Sequence, residues 1–148
     1  MIAIGEKAPD FEAPDHDGTP FRLSSLLGNP VVLYFYPKAD TPGCTIESKG
    51  FRDVYPEFQA QHIQVVGVST DECSAQQAFR DKYGLPFPLI GDSTKQVATQ
   101  FGVLGPRGNA KRVTFLIDST GTVLDVIDNP SPDPHLERAR AAFLTKAK

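Results

Sequence analysis

Cys44 sits in the stretch YFYPKADTPGCT, residues 34–45, directly after Thr41, Pro42 and Gly43. The apolar run before it reads as a strand and the residues after it as a helix, so the thiol falls in a helix's first turn. Helix starts present unpaired N–H groups and positive partial charge, which favour a thiolate over a thiol. Pro42 suits that turn because its missing N–H is not needed there, and Gly43 lets another molecule approach the backbone closely. These features suit a nucleophile; the competing reading is a small buried hydrophobe, which is what most free cysteines are. A CxxC disulfide exchanger is excluded, since positions 41 and 47 are Thr and Glu. Taken singly, Thr41 reads as a helix cap, Arg112 as a solvated residue at a strand edge, and Glu47 as a first-turn carboxylate favoured by the helix dipole.

The elements that must position these residues are legible as alternating patterns. VVLYFY at 31–36 is apolar throughout, as expected for a strand covered on both faces, and IQVVGVS at 63–69 and VTFLID at 113–118 read the same way. TVLDVI at 122–127 follows the turn Asp118-Ser119-Thr120-Gly121 and should form a hairpin with 113–118. Helices are expected over 43–55, continuing to 61 if Pro56 kinks rather than stops it, and over 73–83, ended by Gly84. Two more are expected at 93–101, between Asp92 as N-cap and Gly102 as C-cap, and at 134–147, opened by Asp133 and Pro134. The segment before residue 30 holds turn signals around short extended pieces. Phe79, Phe87, Phe101 and Phe115 are expected in the core.

Composition bounds the function classes. The chain has 148 residues, 40% hydrophobic and 22% charged, which suits one globular domain spanning 1–148. Its net charge of −3 offers no general attraction to phosphate backbones, so nucleic acid is not an expected partner. No apolar run approaches the roughly 18 residues of a membrane span. The N-terminus lacks a basic and then apolar leader pattern, so a cytoplasmic location is expected. Two cysteines do not make a disulfide framework. His16, His62 and His135 are scattered, which argues against a metal site, and no cofactor is expected.

The segment YFYPKADTPGCTIES resembles the active-site segment of the peroxiredoxins, in which Pro, Thr or Ser, and Cys recur at the spacing of Pro37, Thr41 and Cys44. It is most similar to the peroxiredoxin Q branch, also called bacterioferritin comigratory protein. GEKAPDFEAPDHDG, VVGVSTD, FPLIGD, FGVLG and RVTFLID appear in the family's order. The resemblance implies an α/β thioredoxin-like fold: a central mixed β-sheet flanked by helices, with the peroxiredoxin N-terminal extension. It also implies a thiol peroxidase acting on hydrogen peroxide and organic hydroperoxides and recycled by thioredoxin or a similar dithiol. A monomer is implied, although a dimer is compatible. A redox sensor or holdase on the same fold is the alternative, and a complete Pro37, Thr41, Cys44 and Arg112 set favours the enzyme.

On that resemblance Cys44 is the peroxidatic nucleophile, oxidised to a sulfenic acid. Thr41 hydrogen-bonds the peroxide, Pro37 limits water, and Arg112 matches the family's arginine before its late core strand. Gly43 and Cys44 would add backbone N–H donors to the substrate site. Glu47 and His135 also match family positions; His135 is read as packing or capping. Two departures stand out. Lys49 and Arg80 occupy the positions where relatives place a resolving cysteine, leaving Cys73 as the possible resolving residue. The segment 104–111 is also shorter than the loop typical of the branch, so peroxide preference does not carry over.

Overall fold

The architecture is drawn from a computed structural model, which describes residues 1–144. A five-stranded sheet runs in the order β5-β4-β3-β6-β7, formed by β3 (Val31–Phe35), β4 (Gln64–Ser69), β5 (Leu89–Gly91), β6 (Val113–Ile117) and β7 (Val123–Asp128). β3 pairs parallel with β4, β4 parallel with β5, and β3 antiparallel with β6, so the sheet is mixed. β1 (Glu12–Pro14) and β2 (Pro20–Arg22) form a separate antiparallel pair in the N-terminal extension. The helices are α1 (Pro42–Ala60), α2 (Cys73–Tyr83), α3 (Gln96–Phe101) and α4 (Asp133–Phe143).

The uninterrupted apolar run of β3 has a simple cause. Val31, Leu33 and Phe35 enter one core with Phe11 and Leu23 of the extension and with Val97 and Phe101 of α3. Val32 and Tyr34 enter the other, with Phe51 and Phe58 of α1, Phe79 of α2 and Ala139 of α4. A strand with no solvated face is apolar at nearly every position, and any polar group on it needs a buried partner. β4 follows the same pattern from Val65 to Val68, and its Gly67 is required sterically: a Cβ there would lie 2.9 Å from the Tyr34 hydroxyl and 2.8 Å from a Leu89 methyl.

The expected hairpin joins β6 to β7, with Gly121 at φ +90 in its turn and Asp118 N–H donating to the Thr122 carbonyl at 2.9 Å. Phe79, Phe87, Phe101 and Phe115 are all buried. Of the two readings left open at Pro56 the longer one holds: α1 continues to Ala60 with proline inside. One helix boundary needs correction. α3 begins at Gln96, not 93, because Lys95 takes a left-handed conformation (φ +65). Asp92 caps it across that turn, accepting from Val97 N–H at 3.1 Å and Ala98 N–H at 2.9 Å. The short edge strand β5 was also unanticipated. Residues 145–147 of the expected last helix lie outside the described residues. Among the described residues no helix is long and apolar enough to cross a membrane.

Candidate active site

β3 delivers its chain end to a loop, residues 36–41, that is pinned before α1 begins. Ala39 N–H donates to Asp71 Oδ2 at 2.7 Å, and the same oxygen accepts from Ser69 Oγ at 2.6 Å. Asp40, held at φ +58, accepts from Tyr83 Oη at 2.8 Å and pairs with Lys82 Nζ at 2.9 Å. Thr41 stands at the N-cap position of α1, yet its side chain makes no capping bond; its hydroxyl donates to the Lys38 carbonyl at 2.7 Å. With its proton engaged there, the Thr41 oxygen keeps its lone pairs for another donor. Pro37 is half-buried in this loop.

α1 opens at Pro42, and its first helical bond runs from Thr45 N–H to the Thr41 carbonyl at 2.8 Å. The N–H groups of Gly43 and Cys44 precede that bond, in the part of a helix without intrahelical acceptors. Cys44 is 1% exposed. Its sulfur meets Arg112 Nη2 at 3.5 Å, although the two residues are far apart in the chain. Arg112 lies just before β6, and β6 is the direct neighbour of β3, which explains the encounter. The sheet, rather than local sequence, assembles the site.

Arg112 is fixed by three bonds. Its Nε donates to the Pro130 carbonyl at 2.9 Å, Nη1 to Glu47 Oε1 at 2.7 Å, and Nη2 to the Cys44 sulfur. This planar fork could not be matched by lysine. Burial works against the cation, and the Glu47 and Cys44 charges outweigh it, leaving Arg112 above its ordinary value. The absence of a side chain at Gly43 also makes room for the arginine: a Cβ there would lie 2.8 Å from Nη2. Glu47 is no dipole-stabilised surface carboxylate either. It is fully buried, and burial pushes its carboxyl up to about 7 despite the lowering effect of Arg112. Sequence reasoning underrated Glu47 and His135. The available signal was spacing, since Cys44 and Glu47, three apart, share one face of a helix.

Cys73 lies elsewhere. It opens α2 half-buried, with its sulfur 4.0 Å from the Pro14 carbonyl, above the place where a Gly91 Cβ would be. That puts it against β5, two strand spacings (about 10 Å) from β3. Burial, then Asp15 and Glu72, raise its thiol above the ordinary value, and both cysteines are free. Among the described residues no cluster of His, Cys, Asp and Glu could hold a metal ion.

The AhpC/TSA family profile matches residues 4–126. Peroxiredoxin Bcp of Escherichia coli is 38% identical over 141 residues, covering 90% of each chain. The crystal structure of peroxidoxin BcpB from Mycobacterium tuberculosis superposes with a TM-score of 0.92 at 44% identity, covering 98% of each chain. Bacterioferritin comigratory protein of Xanthomonas campestris, a structure determined to study alkyl peroxide reduction, gives 0.85 at 30% identity over 93% of this chain and 92% of its own. The chain therefore belongs to the AhpC/TSA family, within its Bcp or peroxiredoxin Q branch of peroxiredoxins.

Proposed function

We propose that this thiol-dependent peroxidase reduces hydrogen peroxide and organic hydroperoxides through Cys44, with Thr41, Arg112 and Pro37 forming the peroxide site. The observation that carries the assignment is the Arg112 Nη2 contact, at 3.5 Å, with the sulfur of the buried Cys44. The thiolate attacks one peroxide oxygen, the O–O bond breaks, and sulfur is oxidised to the sulfenate as the other oxygen leaves as water or alcohol. Arg112 stabilises negative charge on sulfur and on the departing oxygen, and the N–H groups of Gly43 and Cys44, without intrahelical acceptors, add donors at the same helix start. Thr41, its own proton held by Lys38, accepts from the peroxide O–H and orients it. Pro37 supplies an apolar wall without an N–H to draw water.

Recycling is by thioredoxin or a similar dithiol. The test is consumption of hydrogen peroxide and an alkyl hydroperoxide with a thioredoxin, thioredoxin reductase and NADPH system. Turnover supports the assignment, whereas peroxide-dependent oxidation of Cys44 without turnover would favour a sensor.

Gly43→Ala probes the arginine without touching it. The added methyl would press on Nη2, so the guanidinium must withdraw from sulfur. Peroxidase rate should fall at least tenfold, about 1.4 kcal/mol of lost transition-state stabilisation, with thermal stability changed far less. An unchanged rate would mean that Arg112 works from another position.

Cys73 is proposed as the resolving residue. A disulfide requires Cα atoms within about 7 Å, so the packed helix start at Cys44 must unwind locally before Cys44 and Cys73 meet. One equivalent of hydrogen peroxide on reduced protein, followed by non-reducing peptide mapping, should yield a Cys44–Cys73 peptide. Sulfenic acid persisting on Cys44 beside a free Cys73 would rule this out and make an external thiol the resolving agent.

A further inference from the structure

Behind Arg112 lies a buried polar cluster whose hydrogen-bond bookkeeping does not close without one more proton. His135 Nε2 is 2.8 Å from the Asn129 carbonyl, an acceptor only, so Nε2 must carry hydrogen. In the neutral ring Nδ1 is then a single lone pair, which faces the Thr114 hydroxyl at 2.7 Å; that hydroxyl can donate to it or rotate and leave it to another donor. Glu47 Oε2 stands 3.6 Å from that same Nδ1. Oε1 has Arg112, but Oε2 is the buried side-chain atom without a hydrogen-bond partner among the described residues. As a carboxylate beside a neutral imidazole, the arrangement sets two acceptors against each other with no water-facing side, since both residues are fully buried. Such a contact is costly, and a single proton between them converts it into donor and acceptor.

We propose that Glu47 and His135 hold one shared proton in the resting enzyme, and that this proton keeps the charge of Arg112 directed at the Cys44 sulfur. The inference rests on the peroxidase reading for its consequence, but not for the proton itself. The groups facing Glu47 are Arg112 from the segment before β6, His135 from α4, Cys44 on its own helix and Tyr34 from β3; Arg112, Arg138 and Asp128 act in turn on His135. Tyr34 does not supply the missing bond: its hydroxyl lies 2.9 Å from Ser48 Oγ, and Oε2 has no hydrogen-bond partner. Burial raises Glu47 and lowers His135, which favours the carboxyl as the place where the proton rests. A neutral Glu47 accepts from Arg112 without claiming its charge. An ionised Glu47 competes with the thiolate for the same guanidinium. Glu47, His135 and Thr114 are thus positioning residues that act through Arg112.

The test uses infrared spectroscopy of protein carrying 13C-labelled glutamate carboxyls, with 15N NMR of the histidine rings. A protonated-carboxyl band should be present at about pH 5.5, vanish by about pH 8.5, and be missing from E47Q at both. Glutamine reproduces the protonated form, its carbonyl facing Arg112 and its amide N–H facing Nδ1. The ratio of E47Q to wild-type rate constants for oxidation of Cys44 by hydrogen peroxide should therefore rise severalfold over that range. Absence of the band together with an unprotonated Nδ1 at acid pH overturns the shared proton, and a pH-independent rate ratio overturns its action through Arg112. If the wild-type protein consumes no peroxide at all, the function falls, while the infrared and NMR measurements still decide the proton.

Discussion

Cys44→Ser reduces peroxide consumption to the uncatalysed background while the protein stays folded. Oxygen replaces sulfur with a small loss of volume in a site that is 1% exposed. The new hydroxyl is not stranded, because Arg112 Nη2 already points at that position and can donate to it. The Tyr36 and Phe51 side chains around it keep their places in the core. Chemistry fails nonetheless: a serine hydroxyl does not ionise near neutral pH and cannot be carried to a sulfenic acid. Peroxide consumption in the presence of reductant, read beside a thermal melt, checks both halves. Near wild-type turnover would remove Cys44 from the mechanism, and a collapsed melt would show that the thiol is a core element first.

What the sequence makes legible follows the range of the interactions involved. β3, β4 and β6 show as apolar runs because each is buried on both faces, a property written into consecutive residues. The β6–β7 hairpin shows because its turn is local. β5, at three residues, is too short to display a period, and it exists because the edge of β4 needs a partner. The start of α3 is displaced because Asp92 reaches over three residues to its amides, which no single-position cap rule anticipates. Cys44, Thr41 and Pro37 are adjacent in the chain and form a motif. The pairing of Glu47 with Arg112 and His135 is created by packing α1 and α4 on the same sheet face, so no local pattern announces it. Glu47 and Cys44 on one helical face were the visible hint. The resemblance supplied Arg112, which composition and spacing alone leave as a surface residue.

Arg112→Met should lower the peroxidase rate on the order of a hundredfold or more, the usual cost of losing a donor aimed at developing negative charge. Methionine retains much of the apolar stem, so the effect isolates the guanidinium rather than its volume. Thiolate absorbance at neutral pH should fall as well, because the sulfur loses its nearest cation. The variant also reports on stability, through Glu47. In the wild-type protein Glu47 is raised from 4.5 to about 7, mainly by burial and against Arg112. The folded state therefore binds this proton more tightly than the unfolded chain does. The group's contribution to stability is complete below about pH 4.5 and is lost as pH rises through about 7. Removing Arg112 removes both influences that lower Glu47, so its folded value rises further and the loss continues to higher pH. Denaturation midpoints of the two proteins should lie close together in acid and separate progressively in alkali. The gap approaches the roughly 3–5 kcal/mol expected when one partner of a buried ion pair is deleted. A pH-independent gap would mean that Glu47 never depends on the arginine's charge, and that Arg112 holds the site by packing alone.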